Sequence, residues 1–130
     1  MFRRLLAMVR SVRGESPLST AAFRGGDLVS VVTDDGRFGV IKVLVADEGG
    51  IHARLYVQRF DRRPRPTDLG ALSMAPFGPE YGNPFSIGHM PLSHSSFAGW
   101  QPEIIVRGST VLEEELEGYR MWQDAEAGYF

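Results

Sequence analysis

The 130-residue chain contains no cysteine. Disulfides, thiolate nucleophiles and thiolate zinc sites are therefore excluded. Lysine is almost missing too: of 14 basic residues only Lys42 is a lysine, and the arginine excess reads as GC-rich codon usage before it reads as function. No apolar run approaches the roughly 20 residues of a membrane span. In the first 13 residues, Arg3, Arg4, Arg10 and Arg13 break up the apolar residues, so the continuous stretch of a signal peptide is not formed. A G-x-S-x-G elbow, an H-E-x-x-H zinc motif, a phosphate loop and a dinucleotide fingerprint are all absent. The net charge of −2 exerts no general pull toward nucleic acid or anionic membrane. These absences set the expectation of a soluble, cytoplasmic binding protein with no cofactor and no membrane partner.

What is present is an ordinary globular composition, 43% apolar and 23% charged, punctuated by 15 Gly and 8 Pro. That punctuation favours short strands and turns. Residues 1–23 read as an N-terminal extension or linker and residues 24–130 as a single domain. Asp27 to Thr33 is β-branched and predicts a strand. Asp35-Gly36 is a hairpin signal, because Gly accepts positive φ. Phe38 to Ala46 is the return strand, apolar on both faces. After Asp47-Glu48-Gly49-Gly50 comes the clearest alternation in the chain. Ile51, Ala53, Leu55 and Val57 point one way, and His52, Arg54, Tyr56 and Gln58 the other. His52 is thus expected to face solvent or a groove.

The prolines at 64 and 66 end that strand. Residues 67–86 read as irregular, with Phe77, Tyr81 and Phe85 as anchors. Ile87 to Leu92 reads as a short edge strand, Ser93 to Trp100 as a turn or brief helix, and Glu103 to Arg107 as a short strand. Thr110 and Glu113 fit a capping box for a C-terminal helix. Its stripe of Leu112, Leu116, Tyr119 and Trp122 would dock on the sheet. Gly118 weakens such a helix by about 1 kcal/mol unless close packing requires it. The fold class expected is mainly β (α+β): a small twisted antiparallel sheet or SH3-like partial barrel with one C-terminal helix.

Chemistry-bearing residues are few. His52, His89 and His94 are the histidines, and three is the minimum for a metal site. His89 is expected to bond loop backbone and His94 to be exposed. Ser93, Ser95 and Ser96 flank His94, but neighbours in sequence seldom reach triad geometry, so a helix-capping role is expected. Arg54, Arg59 and Arg62, with Tyr56 between, form the pattern by which small β modules stack and hold single-stranded nucleic acid. Against this reading stands the acidic net charge. Residues 113–126 carry six acids against Arg120 alone, a negative face opposite the apolar stripe that could steer a basic partner. The aromatic-rich stretch from Phe77 to Trp100 is expected to form a satellite core or a rigid binding surface.

Gly26-Asp27 before a β run, then Asp35-Gly36-Arg37-Phe38-Gly39, resembles the immunity protein 26 family of bacterial polymorphic-toxin loci. Gly88-His89-Met90-Pro91-Leu92-Ser93, Phe97, Trp100-Gln101-Pro102, Glu115-Leu116-Glu117-Gly118-Tyr119 and Trp122 are similar as well. The resemblance covers about residues 24 to 130 and implies a largely β protein that binds and neutralises a cognate protein toxin. Residues expected to make that interface are Tyr56, Trp100, Glu114 and Glu117. Some relatives carry a phosphotriesterase label. The corresponding alternative is a metal-dependent phosphotriester hydrolase using His52, His89 and His94, and the chain lacks the His-rich cluster of the better-known binuclear hydrolases.

Overall fold

The computed structural model describes residues 23–74 and 86–130. The N-terminal segment 1–22 and the expected anchors Phe77, Tyr81 and Phe85 lie outside the described residues. Among the described residues five strands form: β1 (Leu28–Val32), β2 (Phe38–Ala46), β3 (Gly50–Phe60), β4 (Ile87–Ser93) and β5 (Glu103–Val106). Two short helices follow β4 and β5: α1 (His94–Gly99) and α2 (Glu117–Asp124). Short 3₁₀ segments lie at Pro66–Ala71 and Glu113–Leu116.

The turns follow from local chemistry. Between β1 and β2, Gly36 takes φ +83°, and the Asp35 carboxylate accepts the Thr33 hydroxyl at 2.7 Å and the Arg37 amide at 3.1 Å. Between β2 and β3, Asp47 Oδ1 accepts the amides of Gly49 and Gly50 at 2.9 and 3.0 Å, an Asx turn. Ser93 caps α1 by accepting the Ser96 amide at 3.2 Å.

The sheet is open and antiparallel throughout, in the order β4-β3-β2-β1-β5. One face carries the apolar core. Val29 and Val31, Ile41 and Val43, Ile51, Ala53 and Leu55, and Met90 and Leu92 meet Phe97 of α1 there. Phe23 joins this core, its ring edge-on to Phe97 at 5.2 Å. Full burial of a side chain such as Phe97 stabilises by about 2–3 kcal/mol.

The alternate positions, Lys42, His52 and Arg54, form the opposite face, and the C-terminal segment covers them. The C-terminal helix differs from the sequence expectation. It starts as a 3₁₀ turn whose backward-reaching carboxylate is Glu115, accepting the Leu112 amide at 2.8 Å, in place of the Thr110–Glu113 pair. The reason is electrostatic. Glu115 turns inward to Lys42 Nζ at 2.9 Å and Arg54 Nη1 at 3.5 Å, and the chain turns with it. Of the expected apolar stripe, Tyr119 and Trp122 reach the sheet, whereas Leu112 is left 49% exposed. Gly118 has the close packing that justifies it: a Cβ there would lie 2.7 Å from His89 Cβ.

Candidate functional site

The polar face of the sheet holds a chain of hydrogen bonds that begins on β4 and ends in the β2–β3 turn. His89 Nε2 lies 2.9 Å from His52 Nδ1, and His52 Nε2 lies 2.8 Å from the Tyr129 hydroxyl. Tyr129 donates to Asp47 at 2.8 and 3.0 Å to its two carboxylate oxygens. The tyrosine has one proton, and the carboxylate takes it. His52 Nε2–H must then donate to the Tyr129 oxygen, so His52 Nδ1 accepts from His89 Nε2–H. Every bond in the chain thus points toward Asp47.

His52 is wholly buried, against the expectation that it faces solvent or a groove. The strand alternation assigns its face correctly, but the C-terminal aromatics cover that face. Tyr119 and Trp122 meet the imidazole edge-on at 4.6 and 4.4 Å, and Tyr129 tilts over it at 5.1 Å. Burial, then the neighbouring His89, depress its pKa to about 4 against the opposing pull of Asp47. Burial lowers His89 likewise. Burial pushes Asp47 up, but the Tyr129 hydroxyl and the Gly50 and Gly49 amides outweigh it and hold the carboxyl below its usual range. Tyr129 is raised by burial and by its bond to Asp47.

Of the three histidines weighed as metal ligands, two meet and the third stands apart. His89 bonds His52 and not loop backbone, and His94 is half-buried with Nε2 2.9 Å from the Asp47 carbonyl. The His52 ring nitrogens face His89 and Tyr129. Among the described residues no group of three or more His, Asp or Glu is placed to hold a metal ion.

The arginines weighed for nucleic acid each turn to a separate partner within the chain. Arg54 faces Glu115, Arg59 Nη1 donates to the carbonyls of Tyr56 and Gln58, and Arg62 lies 3.6 Å from Asp68. The four residues weighed for a protein interface divide between the faces. Trp100 packs against the apolar core. Tyr56 shares the other face with Arg54 and is half-buried, its hydroxyl raised by burial and then by Glu115. Glu114 and Glu117 are exposed on the C-terminal segment.

Comparison with protein families, curated proteins and solved structures finds no match for this chain.

The outer surface of the C-terminal segment is the second candidate site. Glu114, Glu117 and Asp124 are exposed, and Met121 between them is 66% exposed. Met121 stands four residues after Glu117 and three before Asp124, so on a helix the three share one face. Sequence reasoning missed Met121 because the buried stripe accounts for the helix without it. Its signal is nonetheless present: at helical spacing it falls outside Leu112, Leu116, Tyr119 and Trp122, so a large apolar side chain is bound to point outward.

Proposed function

We propose that the chain is a non-catalytic protein-binding domain that neutralises a cognate bacterial protein toxin. The observation that carries this reading is the exposed Met121 between Glu117 and Asp124 on a helix whose inner side is pinned to the sheet, with Glu114 exposed in the turn before it. Met is a soft, adaptable contact residue. An acidic rim steers a basic partner and raises its rate of encounter. The pinned inner side keeps the ordering cost of binding low, because the helix is already in place. The identity of the partner as a toxin rests on the resemblance to immunity protein 26. Neutralisation by such a surface is steric or electrostatic blockade and asks for no reaction on this chain.

The test starts from the tagged chain expressed in its host. It should capture one stoichiometric partner, that partner expressed alone should arrest growth, and co-expression of the chain should restore it. Glu114→Lys/Glu117→Lys should lose both capture and rescue while melting like the parent, since both residues are exposed. A partner that is harmless when expressed alone would end the immunity reading.

A further inference from the structure

The last residues of the described chain, 125–130, form with α2 a C-terminal strap, and their polar contacts with the sheet and with α2 are few. Phe130 donates its amide to the Pro91 carbonyl and its carbonyl accepts the Ser93 amide, both at 2.9 Å, along the outer edge of β4. Ser96 Oγ donates to the same Phe130 carbonyl at 3.0 Å. Trp122 Nε1 donates to the Gly128 carbonyl at 2.9 Å, which ties the strap back onto α2. The Tyr129 ring lies on Gly49 and Gly50, where added Cβ atoms would fall within 2.6 Å of it. No residue of α2 is itself fully buried. Beside these contacts, α2 and the strap are held by the packing of Tyr119, Trp122 and Tyr129 on His52 and by the hydrogen bonds of that imidazole.

The His52–His89 bond has a definite proton capacity. The neutral pair holds one N–H between the two ring nitrogens. A single added proton is tolerated, because one ring then donates across the bond while the other accepts. With two added protons both facing nitrogens carry hydrogen, and the 2.9 Å contact becomes N–H against N–H between two cations. We propose that residues 117–130 form a proton-operated strap, in which double protonation of the His52–His89 pair parts the two rings, lifts α2 and the tail from the sheet and uncovers the edge of β4.

The surroundings of His52 decide how local the event is. From the β2–β3 turn it faces Asp47, whose Oδ2 lies 3.9 Å from Nε2. From β4 it faces His89, and from α2 and the tail Tyr119, Trp122 and Tyr129. On its own strand and face stands Arg54, engaged by Glu115 together with Lys42 of β2. Among the described residues Asp47 is the one anion at the imidazole, and the other neighbours add positive charge or remove water. The apolar core lies on the opposite face and includes no residue of the strap. Burial pushes Glu115 up, but the Leu112 amide and Lys42 outweigh it and hold its carboxyl below the usual range, and these contacts anchor the 3₁₀ turn Glu113–Leu116 to the sheet separately from His52. Local release is thus separable from global unfolding.

The experiment uses the full chain carrying Trp100→Phe, which leaves Trp122 as the sole indole of the two in the sequence. Emission and acrylamide quenching are followed from pH 7 to pH 3, with far-UV circular dichroism of the sheet in parallel. The expected result is a red shift and increased quenching of Trp122, complete before the sheet signal is lost. His89→Gln should abolish the early transition, because its amide oxygen accepts from a singly protonated His52. His52→Gln should abolish it independently, which covers the case in which one variant fails to fold. Hydrogen exchange of the unsubstituted chain, compared between peptides from 117–130 and 28–60, reads the same separation without the tryptophan change. Coincident loss of both signals, or an unchanged early transition in a folded His89→Gln protein, overturns the proposal.

Discussion

Replacing Glu115 with Gln removes one charge and almost nothing else, and the structure predicts a large loss from it. The Lys42 and Glu115 side chains are only 8% and 9% exposed. Lys42 and Arg54 are directly opposite each other across β2 and β3, a like-charge pair that is unfavourable unless bridged. Glu115 is the bridge, and the Gln amide oxygen can still accept the Leu112 amide that Glu115 accepts now. The variant therefore measures the cost of leaving Lys42 buried and facing Arg54 without their shared counter-charge, about 3 kcal/mol by the usual penalty for breaking a buried pair. For a domain of this size that is roughly 10 °C in Tm. Lys42→Met/Glu115→Gln removes the stranded charge and fills the space with an unbranched apolar chain. It should lie within about 1 kcal/mol of the parent, giving a coupling of at least roughly 2 kcal/mol in a double-mutant cycle, larger by whatever Lys42→Met costs alone. Urea titration at pH 7 followed by far-UV circular dichroism measures all four proteins. A single-variant loss below about 1 kcal/mol, or losses that simply add in the double variant, would refute the reasoning.

Two further outcomes are expected. His52 has its pKa depressed from 6.5 to about 4, so between those values the unfolded chain binds a proton that the folded one excludes. Stability from this group is full above pH 6.5 and falls as the pH drops toward 4; from pH 7 to 4.5 the loss is about 2 kcal/mol, and His52→Gln should flatten the profile. Gly118→Ala should destabilise the fold by about 1–2 kcal/mol although alanine is the better helix former, because the added Cβ would press on His89 Cβ. A higher urea midpoint in that variant would mean that α2 is less tightly seated than the structure shows.

Features that depend on neighbours along the chain are legible in the sequence alone. The Asp35-Gly36 hairpin, the alternation from Ile51 to Val57, the proline-marked end of β3 and the Ser93 cap all depend on backbone conformation and period, which a short window contains. The two-sided apolar pattern of β2 announces a covered central strand, and Gly118 announces a close approach. Tertiary structure alone decides what covers the second face of the sheet. Nothing near His52 in sequence says that Tyr119, Trp122 and Tyr129 close over it, since that depends on the path of the chain after β5. Nor does the run Glu113-Glu114-Glu115 reveal that its third member is drawn under the sheet by Lys42 while the first two stay in water. Long-range charge pairing and ring stacking join residues more than sixty positions apart, as Lys42 with Glu115 and His52 with Tyr129 do. Their physical cause is the shared low-dielectric space that the fold creates, and that space exists only once the chain has returned to it.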